Sequence, residues 1–223
     1  GFELSAAPAA PPALDVDFGS AAGNGSGPGG TQPGFSPFEA DGSSPVTQSF
    51  DTGLGMGNLV DVTVQGHTHF RDYAAATGPF AGLSPLLSDN VLNNGSLPSD
   101  TVTLSLLGLA DGLYEITTYH HTTQFSGTRT FDLLLTDSLV TDRLIAGGVS
   151  MSDNGSAALS TQKFRFNVSD RTPVEIDFRI DEGSGHFALD GFGVVLVPEP
   201  ATLLVWTLLG IVAVVARLRR RKR

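Results

Sequence analysis

KFRFNVSDRTPVEIDFRI, Lys163 to Ile180, consists of two alternating runs around a polar break. In Lys163–Val168, Phe164, Phe166 and Val168 fall on one face, and Lys163, Arg165 and Asn167 on the other. In Val174–Ile180, Val174, Ile176, Phe178 and Ile180 share a face opposed by Glu175, Asp177 and Arg179. A period of two is that of a β-strand with one face buried and one wet. Ser169, Asp170, Arg171, Thr172 and Pro173 join the runs, so the pair is predicted to form a hairpin.

Outward from this pair the pattern stays β from Leu14 onward. Strands are predicted over Leu59–Val64, Val102–Leu107, Leu113–Tyr119, Thr130–Leu135, Leu139–Ile145 and Phe187–Val197. Turn signals separate them: Asp111-Gly112, Asn154-Gly155 and Gly183-Ser184-Gly185. Many short strands without alternating helices predict an all-β fold, an antiparallel β-sandwich, and exclude the parallel α/β classes. One helix is expected within Phe80–Val91, where Leu83, Leu86, Leu87 and Val91 have amphipathic spacing suited to plugging an end of the sandwich. Gly19–Gly34 lacks the Gly-Lys-Ser/Thr ending of a phosphate-binding loop and reads as flexible surface.

The chain has no cysteine, which excludes disulfides, thiolate metal sites and a cysteine nucleophile. Its formal charge is −10, unevenly spread. Residues 1–197 hold seven Lys/Arg against 22 Asp/Glu, a formal −15, and such a surface excludes nucleic acid as a partner. The other basic residues, Arg217, Arg219, Arg220, Arg221, Lys222 and Arg223, close the chain. Before them Ala201–Ala216 is uncharged, and as a helix it would span roughly 24 Å. Pro200 as first helical residue and the Arg217 stem extend that toward a bilayer core of about 30 Å. The basic flank stays cytoplasmic, which places residues 1–197 outside. Export needs a leader that Gly1 onward does not show, so the N-terminus is expected to be processed or incomplete. Residues 1–13, rich in Ala and Pro, read as a linker or leader remnant, 14–197 as the sandwich and 198–223 as the tail.

VPEP, a short apolar helix and an arginine-rich end resemble the sorting signal of PEP-CTERM proteins, over about 27 residues of the chain. The resemblance implies that Pro198, Glu199 and Pro200 are recognised by an exosortase-type processing enzyme. It also implies an inner-membrane intermediate, then the surface or extracellular matrix of a Gram-negative-type bacterium. Two prolines at alternate positions keep such an element extended and accessible. A plain membrane anchor is the alternative.

A second resemblance covers most of the domain. VDFGS with TQPGF, LLGLADGLYEITTYHH and HFALDGFGVVLV look like the pattern of galactose-binding-like jelly rolls, the fold of many carbohydrate-binding and malectin-like modules. It implies that the first and last segments pair as neighbouring strands. It also implies that Asp17 and Asp190 are candidate ligands of a structural calcium, the alternative being that both cap turns. No other cofactor is expected.

The remaining chemistry rests on polar side chains. His67 and His69 alternate at a strand end, so both project to one side as candidate ligands. GHTHFRD resembles the metal motif of cyclic amidohydrolases, but those are longer TIM barrels. Tyr119 and His121 point opposite to His120, so the adjacent histidines diverge. With His186, Arg71, Asp72 and Arg129 they complete the candidate ligand-binding set, which His67, His69, His121 and His186 could turn into a zinc site; hydrogen-bonded strand-end histidines are the plainer reading. There is no Gly-x-Ser-x-Gly elbow, and paired carboxylates such as Asp181-Glu182 have no positional support as a glycosidase pair. The only tryptophan, Trp206, lies in the tail, leaving Phe70, Tyr73, Tyr119 and Phe125 as aromatics for a sugar platform. The expected function is a non-enzymatic surface or matrix protein whose sandwich serves adhesion or carbohydrate binding. A metal-dependent hydrolase of polysaccharide or ester, and a structural coat subunit, are the alternatives.

Overall fold

The computed structural model describes residues 13–19, 31–39, 44–52, 54, 59–67, 69–72, 74–93, 101–123, 129–181 and 186–198. The strands are β1 (Ala13–Gly19), β2 (Ser36–Glu39), β3 (Val46–Asp51), β4 (Leu59–Gln65), β5 (His69–Asp72), β6 (Asp89–Asn93), β7 (Thr101–Leu107) and β8 (Gly112–Thr122). They continue as β9 (Thr130–Thr136), β10 (Arg143–Ser150), β11 (Ser152–Asp153), β12 (Ser160–Val168), β13 (Val174–Ile180), β14 (Phe187–Leu189) and β15 (Gly191–Leu196). One six-stranded sheet runs β11-β8-β15-β1-β2 with β12 also on β8, and the other runs β10-β9-β13-β7-β4-β3. The small sheet β14-β6-β5 packs beside them. Most pairings are antiparallel, and the first and last strands are neighbours, Ala13 opposite Val195 through Asp17 opposite Gly191. This is a β-sandwich, as the alternation predicts.

The strand faces follow the period of two. Val174, Ile176, Phe178 and Ile180 point into the core, as do Phe164, Phe166 and Val168. The two runs are not a hairpin, however. β12 pairs with β8 in one sheet, and β13 lies between β7 and β9 in the other. Ser169–Pro173 is an arch across the core, with Asp170 and Arg171 in the left-handed region at φ 53° and 56°. Thr172 donates both its N–H and its hydroxyl to the Ser169 carbonyl. Two strands facing each other across a core carry the same alternation as two paired strands, so the sequence pattern does not separate the cases.

Three further expectations shift. Leu139–Ile145 is not one strand: Asp137 accepts the N–H groups of Leu139, Val140 and Asn167, holding Leu139 in a loop, and β10 starts at Arg143. Phe187–Val197 breaks at Asp190, where the chain passes from the small sheet to the first sheet. The Phe80–Val91 helix is a 3-10 turn, Gly78–Leu83, and one short helix, α1 (Ser84–Ser88), before β6 begins at Asp89. It does not plug an end. Phe80, Leu86 and Leu87 pack on the outer face of the first sheet beside Tyr119, Phe35 and Leu159. Gly191 lets it approach: a Cβ there would lie 2.5 Å from the Val16 carbonyl and 2.7 Å from Leu86 Cδ1.

Among the described residues no helix is long and apolar enough to cross a membrane. Pro198 is the last of them, so Glu199, Pro200, the apolar segment and the basic end lie outside.

Candidate functional site

The sandwich has two poles. At one, β7 ends, β8 and β13 begin, and Val197 donates its N–H to the Leu113 carbonyl as the chain leaves. At the other, β8 ends at Thr122 and β9 and β14 begin, and most of the candidate residues gather there.

β8 is the spine of that far pole. His120 points into the core, fully buried among Phe131, Phe178 and Phe187, with ring centroids 4.6, 5.4 and 5.7 Å away. Its Nδ1 bonds the Ala188 carbonyl at 3.1 Å and its Nε2 the Thr118 hydroxyl at 2.9 Å. Burial pushes its pKa down to about 4, against a smaller upward pull from the Ala188 bond. His121 points the other way, beneath the 3-10 turn, with Phe80 edge-on at 5.1 Å. Its Nδ1 lies 3.0 Å from Ser152 Oγ, and its Nε2 3.4 Å from Asn154 Oδ1, the acceptor of the Thr77 N–H. Ser152 donates its hydroxyl to the His120 carbonyl, so Nδ1 carries the hydrogen in the Ser152 contact. Burial lowers the His121 pKa too.

His67 is buried against Phe70 at 4.6 Å, whereas His69 is exposed. The two imidazoles therefore do not share a side, because Gly66, at φ 76°, turns the chain immediately before His67. Arg129 and His186 do come together: burial pushes the His186 pKa down and the Arg129 charge adds to it. Both are half-buried at the far pole, and burial lowers the Arg129 pKa as well. At the same pole, just past the end of β8, Thr123 Oγ1 is buried without a hydrogen-bond partner. Tyr119 lies further along the outer face of the first sheet, edge-on to Phe35 at 6.1 Å. Burial raises its pKa, which Asp15 raises further and Lys163 partly offsets. The side chains of Arg71 and Asp72, and the residues Tyr73 and Phe125, lie outside the described residues.

A second cluster is made of oxygen atoms. Asp17 and Asp190 are buried at 2 % and 0 % exposure. Asp17 Oδ2 accepts the Gln32 N–H at 2.6 Å, and Asp190 Oδ2 accepts the His121 N–H at 2.5 Å. The Asp190 carbonyl accepts the Phe18 N–H, which sets Asp190 opposite Phe18, one position along from Asp17. One step beyond the Leu189–Val91 pair, Asn90 stands opposite Asp190. Asn90 Oδ1 and Gln32 Oε1 are both buried without a hydrogen-bond partner. Backbone register and the Gln32 bond bring these residues to neighbouring positions, and their two carboxylates and two amide oxygens are donors of the kind that suits Ca²⁺. Asn90 and Gln32 carry no sequence signal, because the β6 register and the Gln32 bond bring them there. Among the described residues no three His, Asp or Glu side chains form a metal-binding group.

No family model matches the chain, and no curated protein matches it. Solved structures similar to it include carbohydrate-binding modules, and some of the matches are parts of larger enzyme chains. One is a family 35 module from Clostridium thermocellum, at 12% identity over 70% of this chain and 100% of that one, TM-score 0.39. Others come from Paenibacillus barcinonensis. One is a family 35 module at 13% identity, 68% and 99% coverage and TM-score 0.36. Another is a family 22 xylan-binding domain at 12% identity, 72% and 99% coverage and TM-score 0.39. At these scores the likeness is loose, and the sandwich stands on its own ladders.

Proposed function

We propose that the chain is an exported cell-surface or matrix protein whose non-catalytic β-sandwich serves adhesion or carbohydrate binding. The observation that carries this reading is the polarity of the domain. Val197 leaves at one pole, while Arg129, His186 and Thr123 collect at the other. Half-buried hydrogen-bonding groups held away from the chain's exit suit a site presented to a polymeric ligand. The Pro-Glu-Pro element, the apolar segment and the basic end support delivery through a membrane-inserted form processed by an exosortase-type enzyme. His120 and His121 are engaged in packing and hydrogen bonds, and His67 packs on Phe70 away from the exposed His69, which favours binding over metal-dependent hydrolysis.

Retention of the purified chain on extracellular polysaccharide from its host, followed by affinity electrophoresis, tests the ligand. Arg129→Ala should weaken binding about tenfold, the worth of a hydrogen bond to a charged group. No retention of the parent chain would sink the carbohydrate reading and leave the coat subunit. Intact mass from hosts with and without an active exosortase tests the tail, since unchanged full-length mass in both would reduce it to a plain anchor.

Asp17 and Asp190, joined by Asn90 and Gln32, are proposed to hold a structural calcium that ties the first strand to the last. Calcium at a hundredfold excess over its dissociation constant should raise the melting temperature by about 5–10 °C. Asp190→Ala should abolish that rise. A parent chain indifferent to both calcium and chelator would remove the ion from the account.

A further inference from the structure

Among the described residues four large apolar side chains stand exposed: Leu59 at 54 %, Leu107 at 45 %, Leu139 at 70 % and Leu144 at 58 %. All four lie at the pole where the chain leaves. Leu59 begins β4, Leu107 ends β7 and Leu144 is the second residue of β10. Leu139 lines an open cleft of about 360 Å³ with Leu113, Val168 and Asn167. Leu113 is the residue whose carbonyl holds Val197. The far pole shows no comparable leucine among the described residues.

Asp137 explains why Leu139 stands out. Its buried carboxylate fixes the loop by accepting the N–H groups of Leu139, Val140 and Asn167, so the leucine is presented on a braced turn. Scattered exposed leucines need no explanation, but all of them at one end of a strongly acidic domain do. The length of chain beyond the domain supplies one. Residues 198–200 alone separate Val197 from the uncharged run that starts at Ala201. At about 3.4 Å per residue the pole stays within roughly 14 Å of that run.

Resting on the reading of the tail as membrane-inserted, we propose that this pole is a lipid-contacting face, on which Leu139, Leu144, Leu59 and Leu107 seat the domain upright on the bilayer. Asp51 opposite Leu59, Asp111, Asp142, Asp170 and Glu175 stand exposed at the same pole against Arg143 and Arg171, an acidic surround that leaves the leucines to make the contact and suits zwitterionic rather than anionic headgroups. β8, eleven residues long, then lifts Arg129 and His186 about 35 Å above the surface.

The absence of cysteine and the single tryptophan make the test direct. The full chain carrying Leu139→Cys, labelled with NBD, is reconstituted in phosphatidylcholine vesicles containing spin-labelled phosphatidylcholine. Trp206 reports the tail independently of the domain. Quenching of both Trp206 and the probe at position 139, with little quenching of the same probe at Ala157→Cys on the exposed far-pole loop, is the expected result. Trp206 quenched with position 139 unquenched would overturn the seated pole and leave the tail reading intact. An unquenched Trp206 would overturn both. A blue-shifted but unquenched probe at 139 would mean that protein, either a second copy or the chain's own tail, covers the leucines, and would likewise overturn the lipid contact. A probe at Leu144→Cys repeats the measurement should Leu139→Cys fail to fold.

Discussion

Gly66→Ala is expected to lower the stability of the domain by about 3–5 kcal/mol, a strained backbone and a steric clash acting together. Gly66 has φ 76°, and a Cβ there would lie 2.0 Å from the Thr101 carbonyl oxygen and 3.1 Å from its carbon. That oxygen is backbone at the start of β7, the strand next to β4, so it cannot swing aside as a side chain would. The methyl fits only if the two strands part at their far ends. Gly34→Ala separates the two causes. Its φ is 93°, but nothing lies within 4 Å of the added carbon, so only the backbone cost of about 1 kcal/mol is expected. Urea denaturation of the parent and both variants, followed by circular dichroism, measures the difference. Equal losses at the two glycines would mean that Thr101 yields and that the clash is not the cause.

His120 should make the domain acid-sensitive. Its imidazole is neutral in the folded core, with a pKa of about 4 against 6.5 in the unfolded chain. The unfolded state therefore binds more protons between those values, and stability falls as pH drops through that window. The contribution is complete above pH 6.5 and is lost by pH 4, where it levels off. Its size is about 3 kcal/mol, from the distance between the two pKa values. His121 and His186 are depressed in the same direction and add to the slope. Denaturation midpoints at pH 7.5 and pH 4, on the parent chain and His120→Gln, isolate the core histidine. The variant should be weaker at pH 7.5 but lose distinctly less on acidification. An unchanged pH slope in His120→Gln would assign the acid sensitivity to other groups.

What was legible in the sequence was the face of each strand, because alternation is local. Phe164, Phe166, Val174, Ile176 and Phe178 are inward as their spacing requires. What each strand pairs with is not local, which is why the Ser169–Pro173 arch reads as a hairpin turn. The break at Asp190 was hidden for a similar reason: both halves are apolar and buried, and the bonds that fix Asp190 between them, among them that of its carboxylate to the His121 N–H, reach strands distant in sequence. For the candidate site, the diverging histidines of β8 follow from alternation, and the pairing of β1 with β15 follows the jelly-roll pattern. The burial of His67 depends on the Gly66 backbone, and the oxygen cluster depends on which residue β6 sets opposite Asp190. Neither has a signature in neighbouring residues.

The place of β15 has a mechanical consequence. It lies between β1 and β8, antiparallel to both, and the chain leaves from its end at Val197. Antiparallel hydrogen bonds run across the strands. A load between the tail and a ligand gripped at the far pole therefore pulls β15 lengthwise, and its rungs resist in shear together. A load between Ala13 and Val197, which emerge side by side, would open the β1–β15 ladder one rung at a time. The same ladder therefore resists a pull along the direction of the chain's exit and yields when its two ends are drawn apart.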